Sequence, residues 1–422
     1  MKNRITNNRG KRLDLNGTSL TNAVFICIVV SIFTGALVLI SHYQNLLNDR
    51  LYIYENRIDR NTSAFNYFLN NSEKIQYDII APFDVFDDGV SSYFEKKHWG
   101  FYDILTCKTP YLNDTITKIA LVGQKKRIKD HTALYLTNYD KSLKLSGKTE
   151  IFGKIQVPNG IIEQAYINGA KGNSIKHLGL KIKSEDKLPE ITTKPTFDYS
   201  NAKAIPIDKL DKSITIINRF DKPTKVIDLS GTHELRDITL KGNIVLVSND
   251  SLRINKTANL QDILIVVPSV HVLPDFAGSI HVVAKERIDI DENSTLQYPS
   301  SIYVKAINDN PCEITIKKGS TIIGGIVIDG ESHLNTTNRT LTLQDDVHVV
   351  GTIYCNGSTQ LKGTVTGSVY TNKIHLKTAS SNYENIILNA TIDNNSLPKN
   401  FIELPLFNNI TKQENHAIVK AL

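Results

Sequence analysis

Seven carboxylates in the repetitive part of this 422-residue chain are the side chains best placed, by type and spacing, to do chemistry. Asp289, Asp291 and Glu292 fall together, Asp345 and Asp346 form a second group, and Asp237 and Asp262 stand apart. Acids gathered on neighbouring strands, alone or with Ca²⁺, can cleave glycosidic bonds. Asp289 and Asp291 flank Ile290, so on a strand both project from one face. That makes half of a site, or only the solvated face of a strand. The eleven histidines are scattered, and no H-E-x-x-H, G-x-S-x-G, Walker loop or G-x-G-x-x-G occurs. Gly324–Gly330, "GGIVIDG", reads as a turn between strands.

The four cysteines, Cys27, Cys107, Cys312 and Cys355, form no C-x-x-C pair and no cluster with histidine, so zinc is not indicated. Cys27 lies in an apolar run, which leaves an odd number for pairing. A Cys312–Cys355 bridge and two buried thiols are both open readings. These residues assign no catalytic, cofactor-binding or metal-binding position and imply no cofactor.

What positions them is a rhythm of short apolar beats. In Gly278–Ala306, Ile280–Val283, Ile288–Ile290 and Ile302–Val304 alternate with charged or turn residues, each too short for a helix. Leading beats at Ile244, Ile263, Ile280, Ile302 and Ile326 are 19, 17, 22 and 24 residues apart. Short strands in triplets, inward aliphatics and corner Gly or Asn predict a parallel β-solenoid. An antiparallel sandwich or jelly roll is the alternative. Stacked turns of chain bury an aliphatic column that none could bury alone.

The rest of the chain divides around this region. Residues 1–20 are a basic leader, and 21–75 are one helix. Ala23–Ile40 is apolar, with no charge between Asp14 and Asp49, and reaches the roughly 20 residues of a membrane span. Lys2, Arg4, Arg9, Lys11 and Arg12 precede it, which predicts a cytoplasmic N-terminus and an extracytoplasmic bulk. No small-x-small cleavage site follows, so an uncleaved anchor is preferred to a signal peptide. Beyond the span, Leu47, Leu51, Tyr54, Ile58, Asn61, Phe65 and Phe68 form a heptad-like seam. It packs either on the protein's own ectodomain or on other helices, with Asn61 able to fix register. Residues 76–140 are expected to form a small β-rich domain and 141–182 the first repeats. A connector over 183–237, the solenoid over 238–380 and a C-terminal cap over 381–422 complete the reading. In that cap "KQENHAIVKAL" looks helical. The basic stretch Gly123–His131 reads as a hairpin tip.

A basic leader, then "LNGTSLTNAVFICIVVSIFTG", then a long helix resembles the N-terminal segment of pilin-like proteins, closest to the minor-pilin type. Gly17 stands at the processing position and is followed by Thr18. Asn22 occupies the place that is acidic in most such segments. "LQDILIVVPSVHV", "LQYPSS", "GTIYCNGSTQLKGTVTGSVYT" and "YENIILNATID" are similar to uncharacterised Gram-negative envelope proteins with one membrane helix and a β-helical ectodomain. The resemblance implies an envelope location and association with a pilus-like or secretion machine, and carries no activity with it. The net charge of +6 is mild, which speaks against nucleic acid as a partner. The expected function is a non-enzymatic, single-pass membrane protein with a structural, adhesive or assembly role, its ectodomain presented to a polysaccharide or another surface ligand. The alternative is a membrane-tethered carbohydrate-active lyase or hydrolase.

Overall fold

In a computed structural model the described residues are 18–87, 89–111, 113–125, 132–167, 176–196, 204–207, 215–307, 310–330, 338–407 and 416–422. The fold is mainly β, with one long apolar helix and a large parallel sheet. The helix runs Thr18–Leu69, 52 residues. It stops short of the expected end because Asn70 and Asn71 follow. Their side-chain amides donate to the carbonyls of Asn66 and Tyr67, closing the last turn. Ser72–Lys74 then forms a 3-10 turn.

A five-stranded antiparallel sheet comes next: Ala81–Phe83, Ser92–Trp99, Tyr102–Tyr111, Asp114–Gln124 and, from the far end of the chain, His416–Ala421. The expected terminal helix is therefore a strand. Ile418 and the β-branched Val419 suit an extended edge, and Gly123 on the neighbouring strand leaves room for Val419 and Ile402. This tail completes the small sheet rather than capping the large one.

The large sheet has 24 strands, and the pairings that stack one strand on another along it are parallel, which excludes the antiparallel sandwich. One ladder runs its length: Ile227, Leu246, Ile265, Val282, Ile302, Ile326, Ile353, Val369, Leu134 and Ile155. Each is 2% exposed or less. Burying such a side chain is worth roughly 1.5–3 kcal/mol, and here each is sealed by the residues before and after it on the ladder.

The order of rungs is not the order of the chain. Leu134–Leu136 stacks on Val369–Thr371, and Glu150–Phe152 on Thr391–Asp393. The strands from Leu134–Leu136 to Lys181–Lys183 thus lie at one end of the ladder, and Ile205–Pro206 and the strands from Thr215 onward start at the other. Part of the connector crosses between. The Tyr135 hydroxyl donates to the Lys187 carbonyl at 2.8 Å, and Tyr354 to Pro189 at 3.0 Å. Lys194 reaches Asp329 at 3.3 Å, and the Thr196 N–H bonds Gly100 at 3.0 Å. The rest of the region read as connector carries rungs of the sheet, at Thr215–Asn218, Lys225–Asp228 and Glu234–Leu235. Much of the outer face of this wall is therefore covered. Val245, Leu264, Tyr303, Val327, Tyr354 and Tyr370 pack against Trp99 and Phe101 of the small sheet, Leu188 and Ile191 of the crossing segment, and Leu404 and Leu406.

Corners are made by left-handed residues. Gly324, Gly351 and Gly367 stack on one another with φ of +147°, +128° and +147°. A Cβ on Gly351 would run into the carbonyl oxygen of Gly324. Both the dihedral and the contact forbid a side chain. Gly351→Ala is therefore expected to destabilise the protein by at least about 2 kcal/mol, read as a lowered urea midpoint. An unchanged midpoint contradicts this corner.

Candidate functional site

The seven candidate carboxylates are not brought together. Asp289 accepts from Arg287 Nε at 2.6 Å. Asp291 lies past the strand end, bound by Lys317 at 2.7 Å and His271 at 2.8 Å. Burial alone would raise its carboxyl, but these two partners outweigh that and hold it below the usual range. Glu292 is exposed. Asp345 faces Lys362 at 4.0 Å, and Asp346 faces Lys318 at 3.4 Å. Asp262 is held by Lys420 of the last strand at 2.7 and 2.6 Å, which ties the small sheet to the large one. Among the described residues no three His, Cys, Asp or Glu side chains could hold a metal ion together.

Backbone shape explains three of the seven. Asp237, Asp262 and Asp346 have φ of 53°, 59° and 58°. Asp tolerates that conformation better than most residues and bonds its own turn. Asp275, Asn293, Gly319 and Asp346 are successive left-handed turn residues, so Asp and Gly alternate in one structural role. The sequence signal was present as Asp one residue before a beat, and it marks corners rather than catalysis.

The cysteines resolve simply. Cys107, Cys312 and Cys355 are buried free thiols, and Cys27 is exposed on the helix. Burial pushes Cys107 and Cys355 up to about 12 and Cys312 up to about 11, so none is a thiolate at neutral pH. Asn61 is buried, and its amide donates to Thr109 Oγ1 at 2.9 Å and to the Cys107 carbonyl at 3.2 Å. The lower seam residues Asn61, Phe65 and Phe68, with Ala64 beside them, thus pack on the small sheet, while Leu47, Leu51 and Tyr54 above them are exposed.

Two other polar places were not picked out from sequence. Beneath the small sheet, His281 Nδ1 lies 2.9 Å from Ser301 Oγ, close to Tyr102, and Thr352 donates to the buried Glu403 at 2.6 Å. His281 is 1% exposed and Ser301 2%, so this Ser–His pair is closed to substrate. On the outer face lies an open groove of about 580 Å³. Val247, Val266 and Val283 form its floor, Tyr303 its end, and Lys194, Lys285 and Lys305 its cationic rim. Asp228, at the other end, is engaged by the hydroxyl and N–H of Ser230, which hold its carboxyl low. Compared with known protein families, with curated proteins and with solved structures, the chain matches none.

Burial pushes the His281 imidazole down to about 4, against its ordinary 6.5. The folded protein keeps it neutral, whereas the unfolded chain takes up a proton below pH 6.5. Its contribution is thus intact above about 6.5 and is lost as pH falls toward 4, on the order of 3 kcal/mol in all. His281→Gln should flatten that limb of a stability–pH curve. An equally steep limb in the variant contradicts the assignment.

Proposed function

We propose that this protein is a non-enzymatic, single-pass component of a cell envelope. In this reading its N-terminal helix is the anchor and its large parallel sheet is a β-solenoid presented outside the membrane. The observation that carries it is the helix itself. Thr18–Leu69 is long and apolar enough to cross a membrane. Phe25, Ile32, Phe33, Leu37 and Val38 are 65–68% exposed, which water does not tolerate in such density but lipid does. The same helix, without a break, buries Phe65 and Phe68 in the small sheet. Anchor and ectodomain are therefore one stiff lever rather than two parts on a tether.

Between the span and the docked end, Leu47, Leu51, Tyr52, Ile53 and Tyr54 are exposed on several sides of the helix. A water-exposed helix normally keeps its apolar residues to one stripe. That excess supports packing beside other membrane helices, as the pilin-like resemblance implies. Seven dispersed carboxylates, each serving a corner, a cation or the solvent, give the carbohydrate-active alternative no constellation to work with.

Orientation and anchoring are tested together with single cysteines in a Cys27→Ser background. Lys148→Cys in intact spheroplasts should react with an impermeant maleimide, Lys2→Cys should react only after lysis, and both should stay in the membrane pellet after alkaline carbonate. The reverse labelling, or release into the supernatant, overturns the proposal.

A further inference from the structure

Of the three lysines on the outer-face groove, two have no ion-pair partner among the described residues. Val283 and Tyr303 are register partners, and two residues beyond them Lys285, just past the end of its strand, and Lys305, which ends the strand stacked on it, line the same groove. Two like charges on one groove repel. Among the described residues neither ammonium has an ion-pair partner. The next residue in that column, Asp329, is 6% exposed and already taken up by Lys194 at 3.3 Å, the Tyr303 hydroxyl at 3.0 Å and the Gly330 N–H at 2.8 Å. Lys285 and Lys305 thus stand unpaired on a groove whose third lysine, Lys194, is held by Asp329 and whose one acidic lining residue among those described, Asp228, is bonded to Ser230.

We infer that this groove binds an acidic oligosaccharide, laid along the ladder with its carboxylates on Lys285 and Lys305. The inference rests on the reading above that this part of the chain faces outward from the membrane. The valine floor offers a flat apolar strip for the C–H faces of sugar rings, and Tyr303 closes one end. Ser248 and Asn249 on the wall offer partners for ring hydroxyls. The repeat of the floor, one residue per rung, is close to the advance of one sugar along an extended chain, so the contact is periodic on both sides. A bound anion would convert the lysine repulsion into attraction. An acidic peptide shares the charge but not the ring faces, and is the competitor in the test.

The full chain in detergent micelles is titrated calorimetrically with octagalacturonate, with a neutral galacto-oligosaccharide of equal length and with heptaglutamate. Octagalacturonate should bind and weaken with salt, and the neutral sugar should bind far more weakly. The Lys285→Gln/Lys305→Gln double variant should lose on the order of tenfold in affinity or more. Lys256→Gln, outside the groove, should change nothing. Because the lysines repel, the double variant should melt no lower than the parent. Ligand protection of Lys285 and Lys305 from acetylation in the unaltered chain reads the same site with no variant at all. No binding of octagalacturonate, equal affinity in the double variant, or no protection overturns the inference. Tighter binding of heptaglutamate overturns the sugar in favour of a peptide. Any of these failures leaves the labelling result for the membrane anchor standing, so the two readings fail separately.

Discussion

Each aliphatic side chain of the long ladder is sealed by its neighbours above and below, and the molecule depends on that stacking. One short strand alone has no interior. Ten ladder positions in register, from Ile227 to Ile155, share one continuous apolar column with almost no exposure. Such a column must end somewhere, and its ends are open strand edges that invite other chains. At one end the ladder passes from Ile155 to the exposed Lys181, with Lys183 beside it. At the other, Pro206 stands opposite Asp228 and removes a donor from the edge. Charge and proline blunt both.

The stacking also explains why the chain is threaded as it is. The strands from Leu134–Leu136 to Lys181–Lys183 build one end, the segment from Lys187 to Thr196 crosses the outer wall, and strands from Thr215 fill in until Val369 meets Leu134. The last repeats therefore land on the first. That closure couples distant parts of the sequence, and the covering layer of aromatic residues couples them again to the small sheet. Lys420 gripping Asp262 and the buried Phe65–Phe68 turn of the helix tie the long N-terminal helix into the same unit.

The repeat itself was legible because inward positions must be aliphatic at a fixed interval, and Ile244, Ile263, Ile280, Ile302 and Ile326 announce it. The apolar helix was legible for the same reason. The order of the rungs was not, because a parallel ladder looks locally identical whichever neighbour it stacks on. Nothing in "TALYLTNY" says that Leu134 will meet Val369. That outward residues such as Val245, Tyr303 and Tyr354 would be covered was not legible either, since only the tertiary fold lays a second layer over them. The tail misled because "HAIVKAL" has an amphipathic spacing that suits a helix, while its setting is the edge beside Asp114–Gln124. Asn61 could be placed on the seam from spacing alone, but whether its partner was another helix or Thr109 depended on the sheet. The carboxylates invited chemistry, yet Asp237, Asp262 and Asp346 owe their identity to backbone angles that a sequence does not display.

The threading is the claim on which the rest stands, and one distance tests it. Lys181 and Lys225 are exposed. Ten ladder steps separate Lys181 from Ile227, two residues along from Lys225. At about 4.8 Å per step, spin labels at 181 and 225 should lie roughly 48 Å apart by pulsed electron spin resonance. If rungs instead stacked in chain order, the two sites would be near neighbours, and a narrow distribution below about 20 Å would contradict the fold described above.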